Sequence, residues 1–187
     1  MRRGDGPRVV LLFGGPGAGK GVQARLLSDA LGLPHVSSGG LLRDHAARHT
    51  PLGVTAQRHM LRGELLPDDL VSEVVLTRLS EPDAAAGAIL DGFPRTLGQA
   101  QRLDSWLVDR GGAVRKALVL EVPEAVLLDR IALRHRADDT PEATERRLEV
   151  TASDLPALLA RYAAQPIDGT GSVDAVHARI KEALGST

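Results

Sequence analysis

The chain has 187 residues, an apolar fraction of 43% and a formal net charge of -1. That suffices for one substantial core, with or without small inserted subdomains, and gives no overall attraction to nucleic acid or an anionic membrane. With no cysteine, disulfides, thiolate chemistry and cysteine zinc sites are excluded, and a cytoplasmic setting is the default expectation.

The N-terminal stretch Met1 to Pro7 is followed by only five apolar residues before the glycines, too short a run for a signal sequence or a membrane span. Those five, Val9 to Phe13, predict a buried strand. Gly14 to Lys20 fits G-x-x-x-x-G-K, in which glycines let backbone N–H groups turn toward a phosphate at the start of a helix, here Val22 to Leu27. The twenty-three basic residues are twenty arginines and three lysines, yet the loop keeps Lys20. A slim point charge fits between two phosphates where a planar guanidinium does not.

A short strand is expected at His35 and Val36. After Ser37-Ser38-Gly39-Gly40 come helical pieces at Leu41 to Arg48 and, beyond a break at Thr50-Pro51, Val54 to Leu61. Pro67 with Asp68 and Asp69 marks a helix start for Leu70 to Leu79. Ala88 to Leu90 and Ala117 to Val122 predict further buried strands, and this alternation argues for a parallel sheet covered by helices. Asp91 stands at the end of one such strand. An Asp there caps a loop or helix or, beside a phosphate loop, organises magnesium directly or through its waters, and the second role is favoured. Pro123 opens a helix through Arg134, and Thr140-Pro141 opens the next. Ile167 to Ser172 is expected as a turn into a last helix, Val173 to Leu184. Arg130 and Arg134 form a like-charge pair four residues apart, to be relieved by a ligand anion or by Asp138 and Asp139, unless they lie on a solvated arginine-rich face. The six histidines form no metal-ligand motif and are expected as surface or core residues.

In order and spacing, GGPGAGKGVQ, HVSSGGLLR, ELLPDDLV, LDGFPRTLGQAQ, RHRADDTPEATERRLEV and DGTGSV resemble the motifs of the adenylate kinase family, from about Val9 to Ile180. The chain resembles its short-lid bacterial form. The resemblance implies an α/β P-loop three-layer fold with a parallel sheet. A core of 1–36, 67–132 and 140–187 would carry an AMP-binding insertion at 37–66 and a short lid at 133–139. It implies reversible, magnesium-dependent phosphoryl transfer from ATP to AMP, giving two ADP, in a cytoplasmic and monomeric protein without nucleic-acid or membrane partners. By similarity Gly17, Ala18, Gly19, Lys20, Gly21 and Val22 cradle the ATP phosphates, Arg130 and Arg134 add charge, and Gly171 offers backbone to the ATP adenine. AMP would meet Ser38, Arg43, Glu64, Leu65, Leu66, Gly92, Phe93, Pro94, Arg95 and Gln99, with Arg136 and Arg147; Gln99 would read the adenine edge. Lys20, Arg95, Arg134, Arg136 and Arg147 form the implied catalytic set, with Asp91 reaching magnesium through water.

Five positions depart from the family pattern. Val22 stands for a common Thr, Gly40 for an acidic residue, Thr151 for Tyr, Leu133 for a lid Gly and Ser38 for Thr. The loss of two polar anchors near the metal predicts slower catalysis than the motifs alone imply. It also leaves open a module that binds nucleotides with weak or lost transfer, or a nucleoside monophosphate kinase of shifted acceptor preference.

Overall fold

The computed structural model describes residues 6–133, 136 and 138–185, and Arg134 as the last residue of a helix. Five strands, β1 (Arg8–Phe13), β2 (His35–Ser37), β3 (Gly87–Asp91), β4 (Ala113–Glu121) and β5 (Gln165–Asp168), form one sheet in the order β2-β3-β1-β4-β5. Every pairing is parallel. Helices α1 (Lys20–Leu31), α2 (Ser38–Ala47), α3 (Pro51–Leu61), α4 (Asp68–Leu79), α5 (Leu97–Asp109), α6 (Glu124–Arg134), α7 (Pro141–Arg161) and α8 (Val173–Gly185) connect and cover it.

The sheet is buried on both faces, as parallel sheets are. Val9, Leu11 and Phe13 of β1 pack with Leu90, Leu103, Trp106 and Leu158 on one side. Val10 and Leu12 pack with Leu27, Ile89, Leu118 and Ile180 on the other. The period-2 alternation of β1 thus supplies both cores. Because the chain moves to one side of β1 after its first helix and to the other side after β3, the strand order reverses at β1. A crevice opens beyond the carboxyl ends of the strands at such a point, where ligands of open α/β folds bind.

Residues 37–66 comprise the end of β2, α2 and α3, and their apolar residues Leu42, Ala56 and Leu66 belong to the same cluster as Val75 and Phe93. Both helices begin earlier than the sequence expectation. The Ser37 side chain accepts from Gly40 N–H and starts α2 at Ser38, while Thr50 accepts from Gly53 N–H with Pro51 as first helical residue of α3. Thr50-Pro51 is therefore a cap that starts a helix.

Two further expectations are corrected. Ile167 and Asp168 do not belong to a turn but to β5, an edge strand in which only Ile167 is buried and Pro166 takes a place tolerated at sheet edges. β4 starts at Ala113, not Ala117, because its first residues alternate at the half-exposed end of the sheet and carry no continuous apolar signal.

Candidate functional site

The glycine loop joins β1 to α1. Gly19 caps α1 with φ +95°, and Gly17 has φ +83°. A Cβ on Gly17 would stand 2.6 Å from the Leu127 carbonyl oxygen, so backbone angle and packing against α6 both demand glycine there. The loop curls so tightly that Lys20 Nζ donates to the Gly14 and Gly15 carbonyls at 2.7 and 2.8 Å. Its ammonium is thereby held over the mouth of the loop, at the N-terminus of α1, where an anion is favoured.

Asp91 ends β3 beside β1, and a Cβ on Gly21 would lie 3.3 Å from its Oδ2. His35 Nε2 lies 3.5 Å from the same oxygen. Burial pushes the Asp91 carboxyl up, but His35 together with the charges of Lys20 and Arg95 outweighs it, and the net shift is downward. An ionised carboxylate therefore sits at the floor of the crevice.

Next to it, Gly92 (φ +75°) turns its carbonyl to accept from Ser38 Oγ at 2.6 Å and from Arg95 Nε at 2.9 Å. Burial lowers the Arg95 pKa, a nearby Arg147 adds to this and Asp91 opposes it, so a bound anion would relieve the strain on its charge. The buried Gln99 accepts from Arg95 N–H through Oε1 (2.8 Å) and donates through Nε2 to Asp68 Oδ1 (2.9 Å).

From the opposite wall, Arg147 of α7 donates to Asp138 Oδ2 (3.1 Å), the Asp138 carbonyl (2.7 Å) and Asp139 Oδ1 (2.8 Å). These carboxylates serve Arg147, whereas Arg130 turns both guanidinium nitrogens to the Gly169 carbonyl at 3.2 and 3.1 Å. Arg130 is thus neither a partner of Asp138 and Asp139 nor part of a freely solvated face. The loop carrying Gly171 is held from two sides, by Arg179 donating to the Asp168 and Thr170 carbonyls and by Gln23 Nε2 donating to the Val173 carbonyl.

One cleft of about 920 Å³ brings these groups together. Of the residues singled out in the sequence, Gly17, Gly19, Lys20, Gly21, Val22, Arg130 and Gly171 line one part of it. Ser38, Arg43, Glu64, Leu65, Leu66, Asp91, Gly92, Pro94, Arg95, Gln99, Arg136 and Arg147 line the remainder. Two do not reach it: Ala18 is buried beneath the loop and Phe93 packs in the core. The Arg134 side chain and residues 135 and 137 lie outside the described residues. His35, Gln23 and Asp68 were not singled out as site residues from the sequence. Each acts through a partner far away along the chain, and no local spacing announces that.

Among the described residues no group of three or more His, Asp or Glu could hold a metal ion by itself. Beside the glycine loop the cleft offers the ionised carboxylate of Asp91, with Lys20 close by. A lone carboxylate at this place could hold a divalent cation only if a bound polyphosphate supplied most of the other oxygen donors.

The family model described as adenylate kinase matches residues 12–167. An adenylate kinase of Nocardia farcinica is 44% identical over 180 residues, covering 95% of this chain and 99% of the relative. Adenylate kinases of Mycobacteroides abscessus (45%, covering 95% and 99%) and Mycobacterium tuberculosis (45%, covering 94% and 98%) are similar over nearly the same span. A glycine loop with its lysine, an arginine-rich cleft and full-length similarity of this degree converge on one statement: the chain belongs to the adenylate kinase family.

Proposed function

We propose that the cleft binds ATP at the glycine loop and AMP against the wall made by 37–66 and 92–99, and transfers the γ-phosphoryl group reversibly between them, giving two ADP. As a member of its family the chain is a nucleoside monophosphate kinase of adenylate kinase type. The observation that carries the reading is that Lys20 and Asp91 on one side and Arg95 and Arg147 on the other line the same cleft. A single phosphoryl group can therefore be gripped from both ends.

In this reading an AMP phosphate oxygen attacks the γ-phosphorus while the bond to the β,γ-bridging oxygen breaks, and that oxygen keeps the electron pair as part of ADP. The nucleophile is already ionised, so no general base is required. Positioning and charge neutralisation carry the catalysis. Gly17 to Val22 with Lys20 hold the donor phosphates, and Gly171 faces the donor base. Arg43 and Arg95 hold the AMP phosphate, Gln99 faces its base, and Arg134, Arg136 and Arg147 approach the transferred group. Magnesium, held by the nucleotide phosphates and anchored to Asp91 through water, supplies neutralising charge when bound. Residues 37–66 act as the AMP-binding insertion and 133–139 as the short lid of a core made by 1–36, 67–132 and 140–187.

The chain is taken to act as a monomer, in keeping with its family resemblance. No helix among the described residues is long and apolar enough to cross a membrane; a cytoplasmic setting is proposed in keeping with the family resemblance.

ADP formation from ATP and AMP, with and without magnesium, tests the proposal. Turnover is expected to require magnesium and to fall at least about a thousandfold in Lys20→Ala, which removes a charge aimed at the transferred phosphates. Binding of both nucleotides without turnover in the wild type would refute it. With UMP, CMP or GMP as acceptor the rate should drop, and an equal rate would assign a different acceptor.

A further inference from the structure

Asp68 is the first residue of α4, yet its carboxylate reaches across to the N-terminus of α5. Oδ2 accepts from Thr96 Oγ1 at 2.6 Å, and Oδ1 accepts from Gln99 Nε2 at 2.9 Å. The approach is close enough that a Cβ on Gly98 would stand 2.6 Å from Oδ2. Thr96 in turn caps α5 by accepting from Gln99 N–H at 3.1 Å. Gln99 is completely buried and lines the cleft.

A primary amide buried in this way can be turned end for end, exchanging its donor and its acceptor. Here both ends are pinned by groups of fixed character. Arg95 N–H can only donate, so it requires Oε1, and an ionised carboxylate can only accept, so it requires Nε2. Each end keeps one unused valence: a second lone pair on Oε1 and a second hydrogen on Nε2. Adenine matches that pair, with N6–H as donor beside N1 as acceptor. A 6-oxopurine carries the reverse, O6 as acceptor beside N1–H as donor, and would need the amide turned over.

We propose that Asp68 is a positioning residue for acceptor specificity, fixing the Gln99 amide in the orientation that takes a 6-aminopurine and rejects a 6-oxopurine. The inference rests on the reading that Gln99 faces the acceptor base. Turning the amide in the wild type would set Nε2–H against Arg95 N–H and Oε1 against the Asp68 carboxylate, two buried like-polarity contacts in place of two hydrogen bonds. Without the carboxylate, only the Arg95 contact opposes the turn.

The test is steady-state kinetics with ATP and magnesium, comparing AMP with IMP, which differs from AMP at the 6-substituent and the N1 proton. In Asp68→Ala the ratio of kcat/KM for AMP over IMP should fall about ten-fold, with KM for AMP raised and KM for ATP within about two-fold of wild type. Asp68→Asn keeps size and one acceptor but can also donate, so it should lower the ratio about three-fold even if the alanine variant does not fold. A merely structural role would lower stability and both acceptor rates together and leave the ratio unmoved. A wild-type ratio in Asp68→Asn, or in folded Asp68→Ala, overturns the proposal. Gln99→Ala separates this from the reading beneath it: if that variant also keeps the wild-type ratio, Gln99 does not read the base and both fall, whereas a changed ratio in Gln99→Ala alone removes only the role of Asp68.

Discussion

At the residue scale, charge in the cleft is arranged by backbone carbonyls as much as by carboxylates. The Lys20 ammonium is fixed by the Gly14 and Gly15 carbonyls, and Arg130 by the Gly169 carbonyl. Both arrangements orient the cation through neutral backbone oxygens. Arg147 differs in being paired with Asp138 and Asp139, so it must exchange or share these partners to serve a nucleotide. Val22 is 37% exposed and lines the cleft, where a methyl group takes the place of a hydroxyl. Val22→Thr is therefore expected to raise the magnesium-dependent kcat several-fold, which is what the roughly 1 kcal/mol net of one ordinary hydrogen bond contributes, with little change in melting temperature. Gly40→Asp on top of it should add to the gain, since an acid in the first turn of α2 suits the helix dipole. Its Cβ would lie 3.2 Å from Ser37 Cβ, so some loss of stability should accompany it. Steady-state rates of the single and double variants decide. If both keep the wild-type kcat, Asp91 and the arginines suffice on the metal side. The sequence made these residue types legible through the glycine loop and its flanking strand and helix. It could not reveal Asp68, since a separation of thirty-one positions between Asp68 and Gln99 leaves no periodic mark of their contact.

At the element scale, the helices beside the cleft are held by short polar ties at their ends. Thr96 caps α5, and Asp154 of α7 accepts from Leu97 N–H at the same end. At the other end of the contact, Asp104 of α5 accepts from Arg161 Nη2 at 2.6 Å and from Tyr162 Oη at 2.9 Å. Caps of this kind are readable at Thr140-Pro141, where a threonine precedes a proline and an acid, but at Thr50 the proline neighbour suggests a break, and at Ser37 the glycines place the helix start three residues late. Helix-start and loop signals use the same residues, and only the hydrogen bond tells them apart. The Tyr162 tie makes a prediction with a definite sign. Burial, with the Asp104 carboxylate adding to it, raises the Tyr162 pKa well above its ordinary value of 10.0. In the unfolded chain the phenol loses its proton near pH 10, while in the folded chain it keeps it. The folded state then binds more protons, and stability falls as pH rises through 10. Tyr162→Phe should lose some stability at pH 7 and show a shallower decline above pH 10. Urea unfolding of both proteins from pH 8 to 11 checks this. As Tyr162 is the sole tyrosine, its phenolate absorbance also reports directly whether the folded chain retains the proton. Parallel slopes in the two proteins would show that the phenol does not control the alkaline limb.

At the scale of the whole molecule, the sheet order determines why one cleft can serve two nucleotides. β1 lies between β3 and β4, so the glycine loop leaves the sheet at its centre, flanked by Asp91 from β3 and by α6 and the Gly171 loop on the β4 and β5 side. The alternation of strands and helices already implied this parallel sheet, but not its order. β5 escaped notice because an edge strand with Pro166 and one buried residue has almost no hydrophobic pattern. In the proposed function each nucleotide would contact a different half of the molecule, with 37–66 and α5 on one side and α1, α6 and α8 on the other. Ligands that bind only the folded state stabilise it by an amount set by their concentration over Kd, about 2.7 kcal/mol at a hundredfold excess. For a chain of this size that is a rise in melting temperature of roughly 5–10 °C. AMP alone and ATP alone should each produce a shift of that order. The proposed two-sided site predicts that Lys20→Ala loses most of the ATP shift and keeps the AMP shift, because in it Lys20 holds the donor phosphates while Arg95 and Gln99 stay intact. Thermal unfolding of wild type and Lys20→Ala with each nucleotide separately measures this. Equal loss of both shifts would mean that the halves are not independent and that the lysine organises the acceptor wall as well, through Asp91 and its link to Gly92 and Arg95.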